Sequence, residues 1–268
     1  MKINAIKLIN ILKMDEARQN LLINTNFGQE DNSIIKTFTI GDIKFIISNS
    51  FAFFPKTLKQ YEQLPDTQLI DENNIISGWD KSLFHTICQY LENYDVFEYL
   101  FNYIIENCAY LILGTDELKR PFGILCRNNT NYDIFKLYLN YILDNYQEDE
   151  IKKILNKGLY CIYNSNNNIF NELLQLVIKY DLSIFNTDPN ENDNRLLMRN
   201  LSIVPKDLMY KFLWSFNQTT HRDLIFNKII NILDIYTNLP NNTLSQNKID
   251  YIRYILKDIQ NNNVKSAE

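Results

Sequence analysis

Residues 3–23 set Ile3, Ile6, Leu8, Ile9, Leu12, Leu21 and Leu22 among charged and amide side chains, a spacing that predicts an amphipathic helix. The period then changes. Ile34-Ile35-Lys36-Thr37-Phe38-Thr39-Ile40 and Ile43-Lys44-Phe45-Ile46-Ile47 are β-branched and aromatic runs split by Gly41-Asp42. Glycine tolerates positive φ, so this dipeptide is the expected tip of a two-residue β-hairpin. Helix and hairpin together predict a small N-terminal α+β cap over residues 1–75. The polar stretch from Pro55 through Pro65 to Asn74 is its expected boundary.

From about residue 79 the chain repeats itself. Lys81-Ser82-Leu83-Phe84-His85-Thr86-Ile87-Cys88 is echoed 38 residues later by Lys119-Arg120-Pro121-Phe122-Gly123-Ile124-Leu125-Cys126. The same shift carries Asn93-Tyr94-Asp95-Val96-Phe97-Glu98 onto Asn131-Tyr132-Asp133-Ile134-Phe135-Lys136. A weaker third copy starts at Gly158-Leu159-Tyr160-Cys161 and continues with Asn168-Ile169-Phe170-Asn171-Glu172-Leu173. A fourth starts at Arg195-Leu196-Leu197-Met198 and continues with Asp207-Leu208-Met209-Tyr210. Each copy predicts a short apolar helix, an Asn-rich turn and a longer helix. Asp95 and Asp133 fall where a carboxylate opposes the positive end of the second helix, and Asn93 and Asn131 suit the turn before it. Phe97, Leu100, Phe101 and Ile104 recur at helical spacing, as do Phe135, Tyr138, Leu139 and Ile142, and they form the stripe expected to bury. The array is expected over residues 76–236, followed by a C-terminal capping helix and polar tail over 237–268.

Arg120-Pro121-Phe122-Gly123-Ile124-Leu125-Cys126-Arg127-Asn128, followed by Asp133-Ile134-Phe135-Lys136-Leu137-Tyr138-Leu139, resembles an ankyrin repeat. Pro121 matches the proline that opens the first helix of that family, where no backbone donor is needed. Ser82 and His85 match its threonine and histidine, and Cys88 and Cys126 occupy a small-residue position. The units are longer than the family's, Gly123 stands in place of the histidine, and the flanking glycines are mostly absent. The resemblance covers roughly residues 79–213. It implies a mainly α, helix-pair solenoid that binds proteins through the fingers between repeats.

Composition narrows the function classes. Net charge is −5, so there is no bulk positive field to draw nucleic acid or anionic membranes, and neither is expected as a partner. Apolar runs such as Phe51 to Phe54 are far short of a membrane span, and Lys7, Asn10 and Lys13 interrupt any secretory apolar region. The expected location is cytoplasmic, or a host cytosol reached by a signal the sequence does not display. Cys88, Cys108, Cys126 and Cys161 lie far apart with only two histidines in the chain, which predicts buried reduced thiols, with no metal and no cofactor. The 17 Tyr and 16 Phe are expected in the core. Trp79 and Trp214, at the two ends of the array, either cover terminal apolar surface or anchor a partner.

Two apparent catalytic signals fail on their own terms. His221-Arg222-Asp223-Leu224 reads like a kinase catalytic loop, but Asn227 follows the histidine by six residues where that loop requires seven. A helix start with a favourable aspartate accounts for it. His85 and Cys88 are three apart on a predicted helix and meet as a thiol–imidazole pair only without the wider constellation that nucleophilic catalysis needs. The chain is therefore expected to be a protein-binding scaffold rather than an enzyme. Its enrichment in Asn, Ile, Lys and Tyr extends this to an effector that an AT-rich intracellular microbe or virus directs at its host. The alternative is an enzyme or toxin-neutralising protein whose working surface lies on the N-terminal domain. The expected binding surface is the row of loops between helix pairs, with Asp116 and Glu117 on the first, Glu148, Asp149 and Glu150 on the second, and Asp188, Glu191 and Asp193 on the third. All three tips are acidic, so the expected partner presents a basic surface.

Overall fold

A computed structural model describes residues 16–24, 33–49, 83–113, 121–159, 162–183, 195–237 and 244–267. The described residues are mainly helical and contain no strand. The chain divides into two compact units, Met1–Tyr141 and Ile142–Glu268. The expected boundary between Pro55 and Asn74, like the first part of the N-terminal helix, lies outside the described residues.

The first unit opens with α1 (Glu16–Asn24), α2 (Ser33–Lys36) and α3 (Ile40–Asn49). The predicted hairpin is thus a pair of helices, and the cause is local. Thr39 stands before the first residue of α3 and Asp42 is its third residue. The Asp42 carboxylate accepts the Thr39 N–H at 2.7 Å, and the Thr39 hydroxyl accepts the Asp42 N–H at 3.2 Å. This is a reciprocal capping box, which satisfies two otherwise orphaned donors and starts a helix through Gly41 where a turn was expected. Asp42 is 2% exposed. Its charge is matched by Arg18 on α1, whose Nε and Nη2 reach the two carboxylate oxygens at 3.1 Å each. Ile35, Phe38, Ile43 and Ile46 are buried. The β-branched run is therefore core-facing helix, since burial outweighs intrinsic strand preference.

The rest of the unit is built from helix pairs. Helices α4 (Leu83–Tyr90) and α5 (Tyr94–Asn107) are followed by the short α6 (Tyr110–Leu113), then by α7 (Pro121–Asn128) and α8 (Tyr132–Asn145). The first helices of both pairs have 8 residues and the second helices 14, each displaced by the period read from sequence. Pro121 occupies the first position of α7, as expected. Phe97 and Phe135 hold equivalent places on α5 and α8, both fully buried. Helices α4 and α7 pack against each other, α2 lies on α4, and α3 lies on α5. Tyr138 gathers the aromatic side chains into this core, with its ring 4.8 Å from Phe101, 5.3 Å from Phe122 and 6.2 Å from Phe84. Its hydroxyl donates to the Ile112 carbonyl at 2.6 Å, so the one polar atom of the ring is satisfied.

The second unit holds α9 (Glu148–Gly158), α10 (Asn167–Lys179), α11 (Arg195–Ile203), α12 (Lys206–Asn217), α13 (Arg222–Thr237) and α14 (Gln246–Ala267). One expectation changes here. The short helix predicted from Gly158 is not formed: α9 ends at Gly158, and Leu159 and Ile162–Asn164 carry no helix. Leu159 is extended at φ −89° and ψ 92°, ending α9 with its apolar side chain buried. The fourth copy matches expectation as α11 and α12. Helix α10 packs on α12, and α14 closes the unit against α12 and α13.

The second helices share one burial scheme. Counted from the residue before each helix (Asn93, Asn131, Asn166 and Pro205), the fourth, seventh, eighth and eleventh positions are all buried. These are Phe97, Leu100, Phe101 and Ile104; Phe135, Tyr138, Leu139 and Ile142; Phe170, Leu173, Leu174 and Val177; and Met209, Phe212, Leu213 and Phe216. The 3.6-residue period places these four on one stripe.

Candidate functional site

Of the acidic residues expected at the loop tips, Glu148, Asp149 and Glu150 are described, and they are helical rather than looped. They form the first turn of α9 and are all exposed. The Glu150 carboxylate accepts the Gln147 N–H at 3.2 Å, and Glu148 pairs with Lys152 one turn on at 3.1 Å. Three acids in the first turn oppose the positive end of the helix dipole, which gives this cluster a structural role beside any recognition role. Asp116, Glu117, Asp188, Glu191 and Asp193 lie outside the described residues.

The asparagines are where the structure departs most from a surface reading of this composition. Asn129, Asn164 and Asn200 are buried, at 1%, 1% and 0% exposure. Asn129 donates from Nδ2 to the carbonyls of Cys88 at 3.2 Å and Leu91 at 2.8 Å, across to the preceding helix pair. Those carbonyls are among the orphaned acceptors at the C-terminal end of α4. Its Oδ1 accepts the Asn131 N–H at 2.9 Å. Asn131 in turn caps α8 by accepting the N–H groups of Asp133 and Ile134, and it donates to the Glu92 carbonyl at 2.8 Å. In the second unit Asn164 accepts the Asn166 N–H at 2.7 Å, and Asn166 caps α10 through Asn168 and Ile169. Asn200 accepts the Ile162 N–H at 3.0 Å, a bond that spans 38 residues. The Asn129–Asn131 pair thus does two jobs: the first amide ties backbone together inside the core and the second starts the next helix.

Asp181 makes a further link of this kind. It follows α10 in the left-handed region at φ 50°, with the Leu182 N–H bonded to the Val177 carbonyl and the Asp181 N–H to that of Ile178. This is the Schellman ending usually given to glycine. Its carboxylate accepts both the N–H and the hydroxyl of Thr220. Burial pushes the Asp181 carboxyl up, but the two Thr220 bonds, with His221 and Lys152 nearby, outweigh it and hold the group below its usual value. A carboxyl so depressed stabilises the fold above the ordinary carboxylate range, and the contribution is lost as pH falls through the folded-state value. In urea titrations, Asp181→Asn should be less stable than wild type at neutral pH. The gap should narrow as pH falls below the carboxylate range, and a gap independent of pH would contradict this electrostatic account.

The residues of the two apparent catalytic signals lie at the start of α13 and on α4. His221 precedes α13, while Arg222 and Asp223 form an ion pair at 2.7 Å in its first turn. His85 and Cys88 are both buried on α4. The Cys88 thiol is pushed well up by burial and by the neighbouring Cys126, so little thiolate exists at neutral pH. Cys88, Cys108 and Cys126 are buried thiols outside any disulfide, as expected; Cys161 lies outside the described residues. Cys88 and Cys126 should therefore resist a thiol reagent in native protein and label only on unfolding. Rapid native labelling of either, read by mass spectrometry, would contradict the burial. Among the described residues no group of His, Cys, Asp and Glu is arranged to hold a metal ion, and no helix is long and apolar enough to cross a membrane.

Sequence reasoning gave no special weight to Asn129, Asn164, Asn200 and Arg18, and read Asp42 as part of a hairpin turn. The Thr39-x-x-Asp42 spacing was a readable signal for the cap, whereas nothing in the sequence separates the buried asparagines from the many exposed ones. Comparison with known proteins finds no matching family model, curated relative or solved structure.

Proposed function

We propose that the chain is a protein-binding scaffold built from ankyrin-like helix pairs stacked in register. The observation that carries this reading is the shared burial stripe of α5, α8, α10 and α12, together with amide bonds that join positions 38 to 41 residues apart. Within each compact unit, helix pairs that bury one stripe and bond their neighbours leave their remaining faces for recognition. Glu148, Asp149 and Glu150, exposed in the first turn of α9, offer a negative patch suited to a basic partner, and Asp116, Glu117, Asp188, Glu191 and Asp193 are the further acids proposed for recognition.

The test is charge reversal. Asp116, Asp149 and Asp188 are replaced together by lysine, and wild type and variant are used to capture proteins from cells of the source organism at low and high salt. Lysine at Asp149 sets a positive charge against the positive end of α9, which costs up to about 1 kcal/mol, so the melting temperature should fall by a few degrees while the fold is kept. The scaffold reading predicts a salt-sensitive set of basic partners that the variant loses. Identical capture by a folded variant would place the binding surface elsewhere.

A further inference from the structure

Helix α12 carries two aromatic side chains where its counterparts carry polar ones. Tyr210 is 38% exposed and Trp214, one turn on, is half-buried. Their rings stack at 6.1 Å with an interplanar angle of 11°. The burial stripe of this helix is Met209, Phe212, Leu213 and Phe216, so Tyr210 and Trp214 lie on the opposite side. Counted from the residue before each helix, the position of Tyr210 is Glu98 on α5, Lys136 on α8 and Asn171 on α10. The position of Trp214 is Asn102, Asn140 and Gln175, all three exposed. Three copies therefore keep these sites polar where α12 carries large rings.

The charge around the rings is equally distinctive. Lys206 and Lys211 flank Tyr210 on the same helix. The Lys206 ammonium lies 5.8 Å from the ring centre of Tyr251 on α14, and Lys211 bonds the Asn171 amide. Lys248, on α14, donates to the carbonyls of Ser202 at 2.6 Å and Val204 at 2.8 Å, capping the end of α11. Burial, and after it Lys206, push its ammonium down from its usual value. Among the described residues none of these three lysines has a carboxylate partner. Asp207, in the first turn of α12, is the acid beside them. On α12 the exposed Lys206 and Lys211 outnumber the exposed Asp207 beside the two rings, in a chain of net charge −5.

We propose that the Tyr210–Trp214 face of α12, with Lys206, Lys211 and Tyr251, docks an acidic segment of a partner protein that also bears an aromatic side chain. The stacked rings supply a rigid apolar anchor at low entropic cost, and the lysines supply the complementary charge. Because Tyr210 and Trp214 turn one face each toward the other, they offer fewer open ring faces than a platform for unpaired bases requires. An acidic peptide is thus a better fit than single-stranded nucleic acid. The proposal rests on the scaffold reading and adds to it a second surface, opposite in sign to the acidic edge.

The test uses full-length protein with Trp79→Phe, so that Trp214 is the sole fluorescent tryptophan. The probes are a random copolymer of glutamate and tyrosine, polyglutamate and oligouridylate. The proposal predicts that the copolymer perturbs Trp214 emission saturably and binds more tightly than polyglutamate, with affinity falling as salt rises. Tyr210→Ala and the double change Lys206→Gln, Lys211→Gln should each weaken binding about tenfold, the size expected of an anchor residue. Equal affinity of wild type and both variants, no response of Trp214, or tighter binding of oligouridylate would overturn the proposal. Circular dichroism of each variant reports folding, and Tyr210→Phe, which keeps the ring, should retain copolymer binding. The acidic-edge capture does not involve this face, so it succeeds or fails independently.

Discussion

Replacing Asn129 by alanine should destabilise the first unit by about 4 kcal/mol, one of the two largest effects expected of a polar substitution among the described residues. Three hydrogen bonds disappear together, and the Cys88 and Leu91 carbonyls lose a donor in a place closed to water. A buried acceptor left without its donor costs about 1–3 kcal/mol. Asn129→Asp should do at least as much harm, because it replaces the donor with a buried charge facing two carbonyls. Substitution of the exposed Asn102 provides the contrast and should change stability by less than about 0.5 kcal/mol. Urea unfolding of the three variants decides the matter: equal midpoints for Asn129→Ala and Asn102→Ala would show that the amide ties contribute nothing.

Arg18→Met should be comparably damaging, by about 3 kcal/mol, although arginine substitutions on a protein surface are usually mild. Asp42 is 2% exposed, and its carboxylate is held between the Thr39 cap and the two Arg18 nitrogens. Removing the guanidinium leaves a buried charge with half its partners. Removing both charges in Arg18→Met, Asp42→Asn should recover part of the loss, because no uncompensated carboxylate remains and asparagine at that place still accepts the Thr39 N–H. Protection of the α3 amides from hydrogen exchange should fall in the single variant and recover in the double. A double variant less stable than the sum of its single changes would contradict this pairing.

What the sequence disclosed depended on the range over which the physics acts. The helix pairs α4–α5 and α7–α8 were legible because two levels agree: apolar residues at helical spacing and an Asn-Tyr-Asp start recur at one fixed shift. Cys88, Cys126 and Phe135 were placed correctly in the core by that register alone. Residues 34–48 misled because β-branched residues favour strands only when a sheet is there to receive them. The Thr39–Asp42 box and the Arg18 bridge, which spans 24 residues of sequence, decided for helix. Helix α9 was hidden for a different reason. Its first turn, Glu148-Asp149-Glu150, is a run of charge that reads as a loop until its capping role is considered. The buried amides were the least legible feature, since an asparagine-rich chain gives no sign of which few asparagines are enclosed. The acidic row was found as a pattern, and the structure assigns its central member a helix-starting role that composition alone does not reveal.

The most direct test of the repeat account is an internal deletion of residues 94–131, one full period, which joins Asn93 to Tyr132 in register. In a chain of equivalent units the joined helix keeps its asparagine cap and its burial stripe, since Asn93 takes the place of Asn131 and Phe135 that of Phe97. The account predicts that the shortened protein remains helical by circular dichroism and unfolds cooperatively in urea. Deletion of residues 94–120, which breaks the period, should abolish the cooperative transition. Loss of cooperative unfolding in both deletions alike would contradict the claim that these helix pairs are interchangeable units.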